Sequence, residues 1–531
     1  MTSVSEKDRY ILAIDHGTSA MKPAIVSTRG EVLGWTCENT PLYLLSGGGA
    51  EQNPDEWWQA FISATKALLA QDLVPVDAID AVCNTSQWSG TVAVDANGQP
   101  LMNAIIWMDA RGAPYIADTF KGLINIQGYS LGALLRWLRK TGGIPTKSGK
   151  DPIAHILYLL HEHPDVYEQT RWFLEPTDYI NFRLSGQIAS SPASMLLHWI
   201  VNSRNVNNLH YDEGLIKRLG IHREKLPELR ASTDVLGSLQ KEVANTLGLR
   251  EDVKVFVSAS DIPSAVIGSG AVRDFEGHVY IGTSSWLTCH VPFKKTDIGS
   301  NMASLPSAIP GRYFIANEQE SAGACLTFLR DQVFYPDDTA KCGNQEVYKE
   351  FDRIVEQVPA GSNNIIFTPW LYGERTPVED HTVRGAFFNL SLDSDKRQLI
   401  RAVFEGVAYN SRWVLEAVEK FIKRPFETLN MIGGGAQSDI WCQIYADVFN
   451  RTIQQVHDPI HANARGAAFI ASVGLGHITF NDIPNLIRIA HVFQPNPKHR
   501  ALYDALFKEY VGIYETNKKF YQRLNQGINS T

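Results

Sequence analysis

The chain reads as an α/β protein built from two domains on one plan, with a cleft between them. Three observations predict this. Its 531 residues exceed the size at which one hydrophobic core stops growing. Apolar strand-like runs alternate with helical stretches, which is the signature of layered α/β packing. One short pattern also occurs twice, far apart: Ile11-Leu-Ala-Ile-Asp15-His-Gly17-Thr18-Ser19, followed by Ala24, Ile25 and Val26, and His278-Val-Tyr-Ile-Gly282-Thr283-Ser284, followed by Trp286, Leu287 and Val291. In each copy an apolar strand enters Gly-Thr-Ser and a second strand leaves it.

In chain order, the first hairpin is followed by a third strand near 31–35. Glu51-Gln-Asn53-Pro54-Asp-Glu-Trp-Trp58 carries a helix start: Asn53 caps, Pro54 suits the first turn and acids follow. A buried strand at 79–83 leads into a polar loop from Asn84 to Gly90, then a strand at 91–95 and the turn Ala96-Asn-Gly98. The middle, about 120–250, is helix-rich. A clean strand at 254–258 delivers Asp261 to a helix start, and a boundary near 270 divides the chain into domains 1–270 and 271–531. The second half then offers a strand at 364–367 and a long helix at 398–420, with Val403, Val407, Val414 and Val418 on one face. A strand at 428–432 enters Gly433-Gly434-Gly435, and a helix follows at 438–449. The last forty residues read as a charged helical surface layer.

The formal net charge is −8 and no long basic run occurs, which disfavours nucleic acid as a partner. No run of apolar residues is long enough to span a bilayer, and the polar start Met1-Thr-Ser-Val-Ser-Glu-Lys-Asp-Arg9 lacks a signal-peptide core. The six cysteines form no Cys-x-x-Cys pair, so reduced thiols and a cytoplasmic location are expected. His161-Glu-His163 precedes Pro164 and reads as a solvated helix end rather than a metal site.

Glycine permits a tight turn and close approach of a ligand, and the hydroxyls and amides after it suit phosphate oxygens. Each hairpin taken singly is equally an ordinary turn; the pair suggests two lobes gripping one polyphosphate. Asp15 ends an apolar strand, a costly place for a carboxylate unless a cation or donors meet it. Asp261 stands where a buried strand meets a helix, the usual ligand position in α/β folds. It is either a general base or a helix cap. Gly433-Gly434-Gly435 could let a flat ring or phosphate lie on bare backbone near a helix start, or be a tight turn with no ligand. Gln87, Trp88 and Ser89, with Trp107, Asp109 and Arg111, suit a polyhydroxylated ligand; equally, Asp109 and Arg111 pair and the tryptophans are core.

In combination these segments resemble the FGGY family of carbohydrate kinases, from about Tyr10 to about Gly476, with wording most similar to its xylulokinases. The matching stretches include Glu51-Gln-Asn-Pro-Asp-Glu-Trp-Trp58, Ile106-Trp-Met-Asp109-Ala-Arg111, Asp178-Tyr-Ile-Asn-Phe-Arg-Leu-Ser-Gly186, Arg384-Gly385-Ala-Phe387, Arg401-Ala-Val-Phe-Glu405-Gly406 and Gly433-Gly-Gly-Ala-Gln-Ser-Asp439. The resemblance implies two actin-like (ribonuclease H-like) ATPase domains with an interdomain cleft, binding ATP, Mg²⁺ and a small sugar, most like a pentulose such as xylulose. It assigns Asp15 to the metal and Asp261 to the base. Gly17, Thr18, Ser19, Gly282 and Thr283 go to the phosphates. Gly434, Gly435 and Asp439 go to the adenosine end, and Gln87, Trp88, Ser89, Asp261 and Ile262 to the sugar. Three positions depart from the family pattern: Gln87-Trp88-Ser89-Gly90 replaces a Gln-Met-His-Gly-like loop, Ile262 replaces a polar residue, and Asn389 stands where glycine is usual. The first two leave the sugar open among ribulose, polyols and deoxy sugars, and Ile262 suggests a ligand lacking or inverting one hydroxyl. A non-catalytic ATP-gated clamp of the same fold is one alternative, against which the aromatic sugar-facing loop and Asp261 weigh; a sugar-sensing pseudokinase is another, against which Asp15 and Asp261 both weigh. The oligomeric state, a homodimer included, is left open.

Overall fold

The computed structural model describes residues 8–525 apart from 127, 339 and 342; Cys342 and the first seven residues of the polar N-terminus lie outside the described residues. Strands β1 (Tyr10–His16), β2 (Ala20–Ser27) and β3 (Val32–Trp35) form an antiparallel meander. Helix α1 (Pro54–Leu69) begins where its residues predict, with the Asp55 N–H donating to the Asn53 side chain at 2.9 Å. Strand β4 (Ile79–Ser86) pairs parallel with β1, β5 is Val235–Ser238, and β6 (Lys254–Phe256) pairs parallel with β4. The resulting seven-stranded sheet runs β5-β6-β4-β1-β2-β3, its remaining strand, Glu38–Asn39, pairing with β2. Every residue of β1 is buried, because the sheet is covered on both faces.

The second sheet follows helix α2 (Asp261–Gly268). It contains β7 (Gly277–Ile281), β8 (Ser285–Val291), β9 (Thr296–Asp297), β10 (Met302–Pro306) and β11 (Tyr313–Ala316). The long helix α3 (Lys396–Ile422) leads to β12 (Thr428–Ile432), helix α4 (Asp439–Phe449) and β13 (Thr452–Val456). Helix α5 (Ala462–Gly474), β14 (Ile489–Phe493) and helix α6 (Arg500–Asn525) complete it. The eight strands run β9-β10-β11-β8-β7-β12-β13-β14. The path β11-β8-β7-β12-β13 repeats β3-β2-β1-β4-β6, antiparallel first and parallel after the central strand. The two halves therefore share one topology, as the repeated hairpin predicts.

Helix α5 comes from the second half but packs on the first sheet. Ala464, Ala467, Ala468, Phe469 and Ile470 join Ile11, Ala13, Ala24, Val26, Ala81 and Cys83 in one core. In return, Ala265 of α2 packs with Trp286, Ile432 and Val456 of the second half. The two helices touch backbone to backbone: a Cβ on Gly268 would fall 1.8 Å from the Ala462 carbonyl, and one on Gly466 1.8 Å from that of Ser264.

Two expectations are corrected here. Asn84, Thr85 and Ser86 are not a loop. They continue β4 opposite Ile14, Asp15 and His16, and they are buried, because polar partners such as Thr177 and Ser264 meet their side chains. The terminal helix α6 is more than a surface layer: Tyr503, Leu506, Phe507, Tyr510, Tyr514 and Tyr521 bury one face of it in the second core. Asn389 has φ 67° and its side chain donates to the Asn364 carbonyl at 3.1 Å. Asparagine tolerates this left-handed region, so it serves where glycine is usual.

Candidate active site

Asp15 ends β1 and is 7% exposed. The hairpin register sets it opposite Lys22 on β2, whose Nζ lies 3.5 Å from Oδ2. Asn463, at the start of α5, donates to Oδ1 at 3.3 Å. Lys22 reaches over the turn, since a Cβ on Gly17 would lie 3.7 Å from its ammonium. The Asp15 carboxylate, chiefly, holds the Lys22 pKa above its ordinary value, and Asp261 adds to the effect. Sequence reasoning missed Lys22. The available signal was the period-two register of a hairpin, which puts positions 15 and 22 opposite each other.

At the tip of this hairpin Ser19 is exposed, whereas the Thr18 hydroxyl is engaged internally. It accepts from the Trp107 indole at 2.9 Å and donates to Gln87 at 3.0 Å. Gln87 in turn donates to Gln52 at 2.7 Å, and Gln52 donates to the Thr18 carbonyl at 2.7 Å. This closed ring ties the first phosphate-type hairpin to the Gln87 loop. Trp88 is 7% exposed, donates to the Ser194 carbonyl at 2.7 Å and packs in an apolar cluster with Phe314. Ser89, at φ 67°, donates to the Lys150 carbonyl at 2.9 Å. Asp109 and Arg111 pair at 2.7 Å, and Arg111 also reaches Glu51.

In the second hairpin the Gly282 N–H donates to the Ser284 carbonyl at 2.9 Å, and Thr283 is exposed at the tip. Tyr280 of β7 stacks on Trp286 of β8 with ring centroids 3.8 Å apart. The Gly433, Gly434 and Gly435 turn lies against the same strand: Cβ atoms on Gly433 and Gly435 would meet Ile281 at 2.5 and 2.4 Å, while Gly434 faces open space. Behind it, Asp439 accepts from Gln455 at 2.9 Å.

Asp261 lies in the first turn of α2, one residue after Ser260 at the N-cap position, so it is not the cap. Its Oδ1 accepts only its neighbour's N–H, from Ile262 at 2.8 Å, among the described residues. Burial pushes its carboxyl up to about 7, the Ile262 N–H opposes this, and the charges of Asp15 and Glu318 add to it. Ile262 packs in two apolar clusters, one with Trp88 and one with Trp286 and Tyr280. The Tyr280 phenol is raised, first by burial and then by Asp15 and Asp261 together. Lys22 and Tyr280 thus each feel both carboxylates, so Asp15 and Asp261 lie within electrostatic reach of residues on both hairpins.

Duplicated sheets, each carrying a Gly-Thr-Ser hairpin and packed together through helices α2 and α5, are the build of a two-lobed phosphotransferase. The N-terminal domain of the FGGY family of carbohydrate kinases matches residues 10–268, and its C-terminal domain matches residues 278–475. The chain belongs to this family and is a sugar kinase, using ATP as these kinases do. It is 28% identical over 529 residues to a xylulose kinase of Bacillus subtilis, covering 96% of this chain and 97% of that one. Its fold superposes with a TM-score of 0.84 on a gluconate kinase from Lactobacillus acidophilus, 26% identical and covering 98% of this chain and 100% of that one. A ligand-bound xylulose kinase from the same organism also gives 0.84 at 26% identity, with 97% and 100% coverage. No helix among the described residues is long and apolar enough to cross a membrane.

Proposed function

We propose that the chain transfers the γ-phosphoryl group of ATP to a hydroxyl of a small neutral sugar, a pentulose such as xylulose foremost. The observation that carries this reading is Asp261, a carboxyl brought to about 7 within electrostatic reach of Asp15 and Lys22. Its carboxylate takes the proton of the sugar hydroxyl; that oxygen bonds to the γ-phosphorus as the bond from phosphorus to the β–γ bridging oxygen breaks, and ADP leaves. A base whose pKa lies near the working pH combines availability with driving force. Lys22 faces the negative charge that develops on the phosphoryl oxygens, while the exposed tips at Ser19 and Thr283, with nearby amides, hold the phosphates. The lobe of residues 1–270 takes the sugar and that of 271–531 the nucleotide. The resemblance to xylulose kinases over nearly the full chain supports the pentulose.

Asp15 fits Mg²⁺. Among the described residues its oxygens meet only Lys22 at 3.5 Å and Asn463 at 3.3 Å, so they retain lone pairs for a hydrated ion. No group of three or more acidic, His or Cys side chains among the described residues could cage a metal. One carboxylate together with substrate phosphates is the usual way this ion is held. When bound, Mg²⁺ supplies charge neutralisation on the phosphates.

A phosphorylation screen over pentuloses, hexuloses, pentitols, glycerol and aldonates, reading ADP release, tests the function. ADP release indifferent to every sugar would mark an ATP-gated clamp instead. The acid limb of kcat/KM against pH should have its midpoint near 7, set by Asp261; a profile flat from about pH 5 to pH 8 would remove it as the base. Lys22→Met should lower kcat by on the order of 10²-fold with little change in sugar KM, and an unaltered kcat would exclude Lys22 from charge stabilisation.

A further inference from the structure

We infer that Lys150 is a specificity-determining residue of the sugar site: its ammonium, on the cleft wall beside Ser89, donates to a hydroxyl or carbonyl oxygen of a neutral sugar. The inference rests on the sugar-kinase reading and narrows its substrate class to hydroxy-ketones rather than sugar acids.

The backbone at this position is fixed. The Lys150 carbonyl accepts the Ser89 hydroxyl at 2.9 Å, which anchors it to the Gln87 loop. The next residue, Asp151, is 5% exposed and bonded by the Thr146 N–H. The side chain is half-buried and reaches toward the other half of the molecule, its Nζ 5.4 Å from the centroid of the Tyr372 ring. Around it are the charges of Glu320, Arg375 and Glu318. Both carboxylates are already bound by the same guanidinium: Arg375 donates to Glu320 at 3.0 Å and pairs with Glu318. Lys150 itself has no hydrogen bond or ion pair among the described residues; its ammonium sits over the Tyr372 ring, and its three donors are left for solvent or a ligand. Desolvation, the largest influence, lowers its pKa, as for a cation partly withdrawn from water. A bound ligand oxygen would relieve that cost.

Glu318 ties this wall to the base, since its charge is felt at both Lys150 and Asp261. A small sugar with its reacting hydroxyl at Asp261 can then present other oxygens to Lys150. The local charge decides which kind. Glu318 and Glu320 balance Arg375 and Lys150, and Asp261 adds a further carboxylate. Glu374 also sits here, accepting the Glu320 and Arg375 N–H groups, so a sugar acid would add a negative charge beside several carboxyls, whereas a hydroxyl or carbonyl accepts from Lys150 without that repulsion.

The test compares wild type, Lys150→Met and Lys150→Arg on xylulose, ribulose, xylitol and gluconate, with unfolding midpoints measured alongside. For the ketose that wild type uses, Lys150→Met should raise KM by about 10-fold to 100-fold, the loss of one charge-assisted hydrogen bond. The kcat should stay within about threefold and the ATP KM and unfolding midpoint should not move; Lys150→Arg should recover part of the affinity. A ketose KM within about twofold of wild type in Lys150→Met would overturn the inference, as would gluconate being a better wild-type substrate than the ketoses. Wild-type turnover on the sugars judges the kinase reading itself, whereas the ratio of variant to wild-type KM judges Lys150, so the two fail separately.

Discussion

Asp261→Asn is expected to lose phosphoryl transfer by about 10³-fold or more while making the folded protein more stable at alkaline pH. The amide is isosteric but cannot take a proton, so nucleotide binding should be nearly unchanged. The stability effect follows from the raised carboxyl, whose ordinary value of 3.8 becomes about 7. Below the ordinary value both folded and unfolded chains carry the proton and the side chain is neutral to stability. Between the two values only the folded chain keeps it, and stability falls as pH rises. Above about 7 the folded protein holds a buried carboxylate at full cost. The shift corresponds to at most a few kcal/mol, less because the side chain is not fully enclosed. Thermal unfolding of the two proteins at about pH 5 and pH 8 reads the effect as a gap that widens with pH. A variant keeping turnover within tenfold of wild type would remove Asp261 from the mechanism; a gap that narrows with pH would contradict its burial.

Gly268→Ala should be strongly destabilising, among the most damaging single methyls the described glycines can take. The added carbon would fall 1.8 Å from the Ala462 carbonyl oxygen, well inside contact distance and against backbone rather than a movable side chain. Helices α2 and α5 would have to separate; α5 covers the first sheet, and Ala265 of α2 packs into the second half. The cost should reach about 3 kcal/mol or more, at the upper end for overpacking. Gly466→Ala should act alike through the Ser264 carbonyl at 1.8 Å. Gly434→Ala is the control, since nothing stands within 4 Å of its added carbon. Urea unfolding of the three variants checks the ranking. If Gly268→Ala were as stable as Gly434→Ala, the close crossing of the two helices would be wrong.

What could be read in advance was local in the chain. The two hairpins are written in contiguous residues, so their pairing repeats in both sheets at the positions the pattern marks. The cap at Asn53, the long helix with its valine face, and Asp261 at a strand-to-helix passage follow from neighbours in sequence for the same reason. Polar Asn84, Thr85 and Ser86 misled, because burial of polar strand residues depends on partners elsewhere, among them Thr177 and Ser264. The ring through Thr18, Gln87 and Gln52, with Trp107 donating to Thr18, was invisible for the same reason. So was the Asp15–Asn463 contact, whose residues lie 448 positions apart.

By itself, then, the amino-acid sequence determined two matched α/β lobes, their glycine turns and the carboxylates at strand ends, since propensity, turn chemistry and hydrophobic period act over a few residues. Only the tertiary structure decided that α5 covers the opposite sheet, that Lys22 leans on Asp15, and that Asp261 is raised while Lys150 has no hydrogen-bond or ion-pair partner among the described residues. Those outcomes depend on what distant segments bring to one spot and on how much water they remove there, which no local pattern encodes.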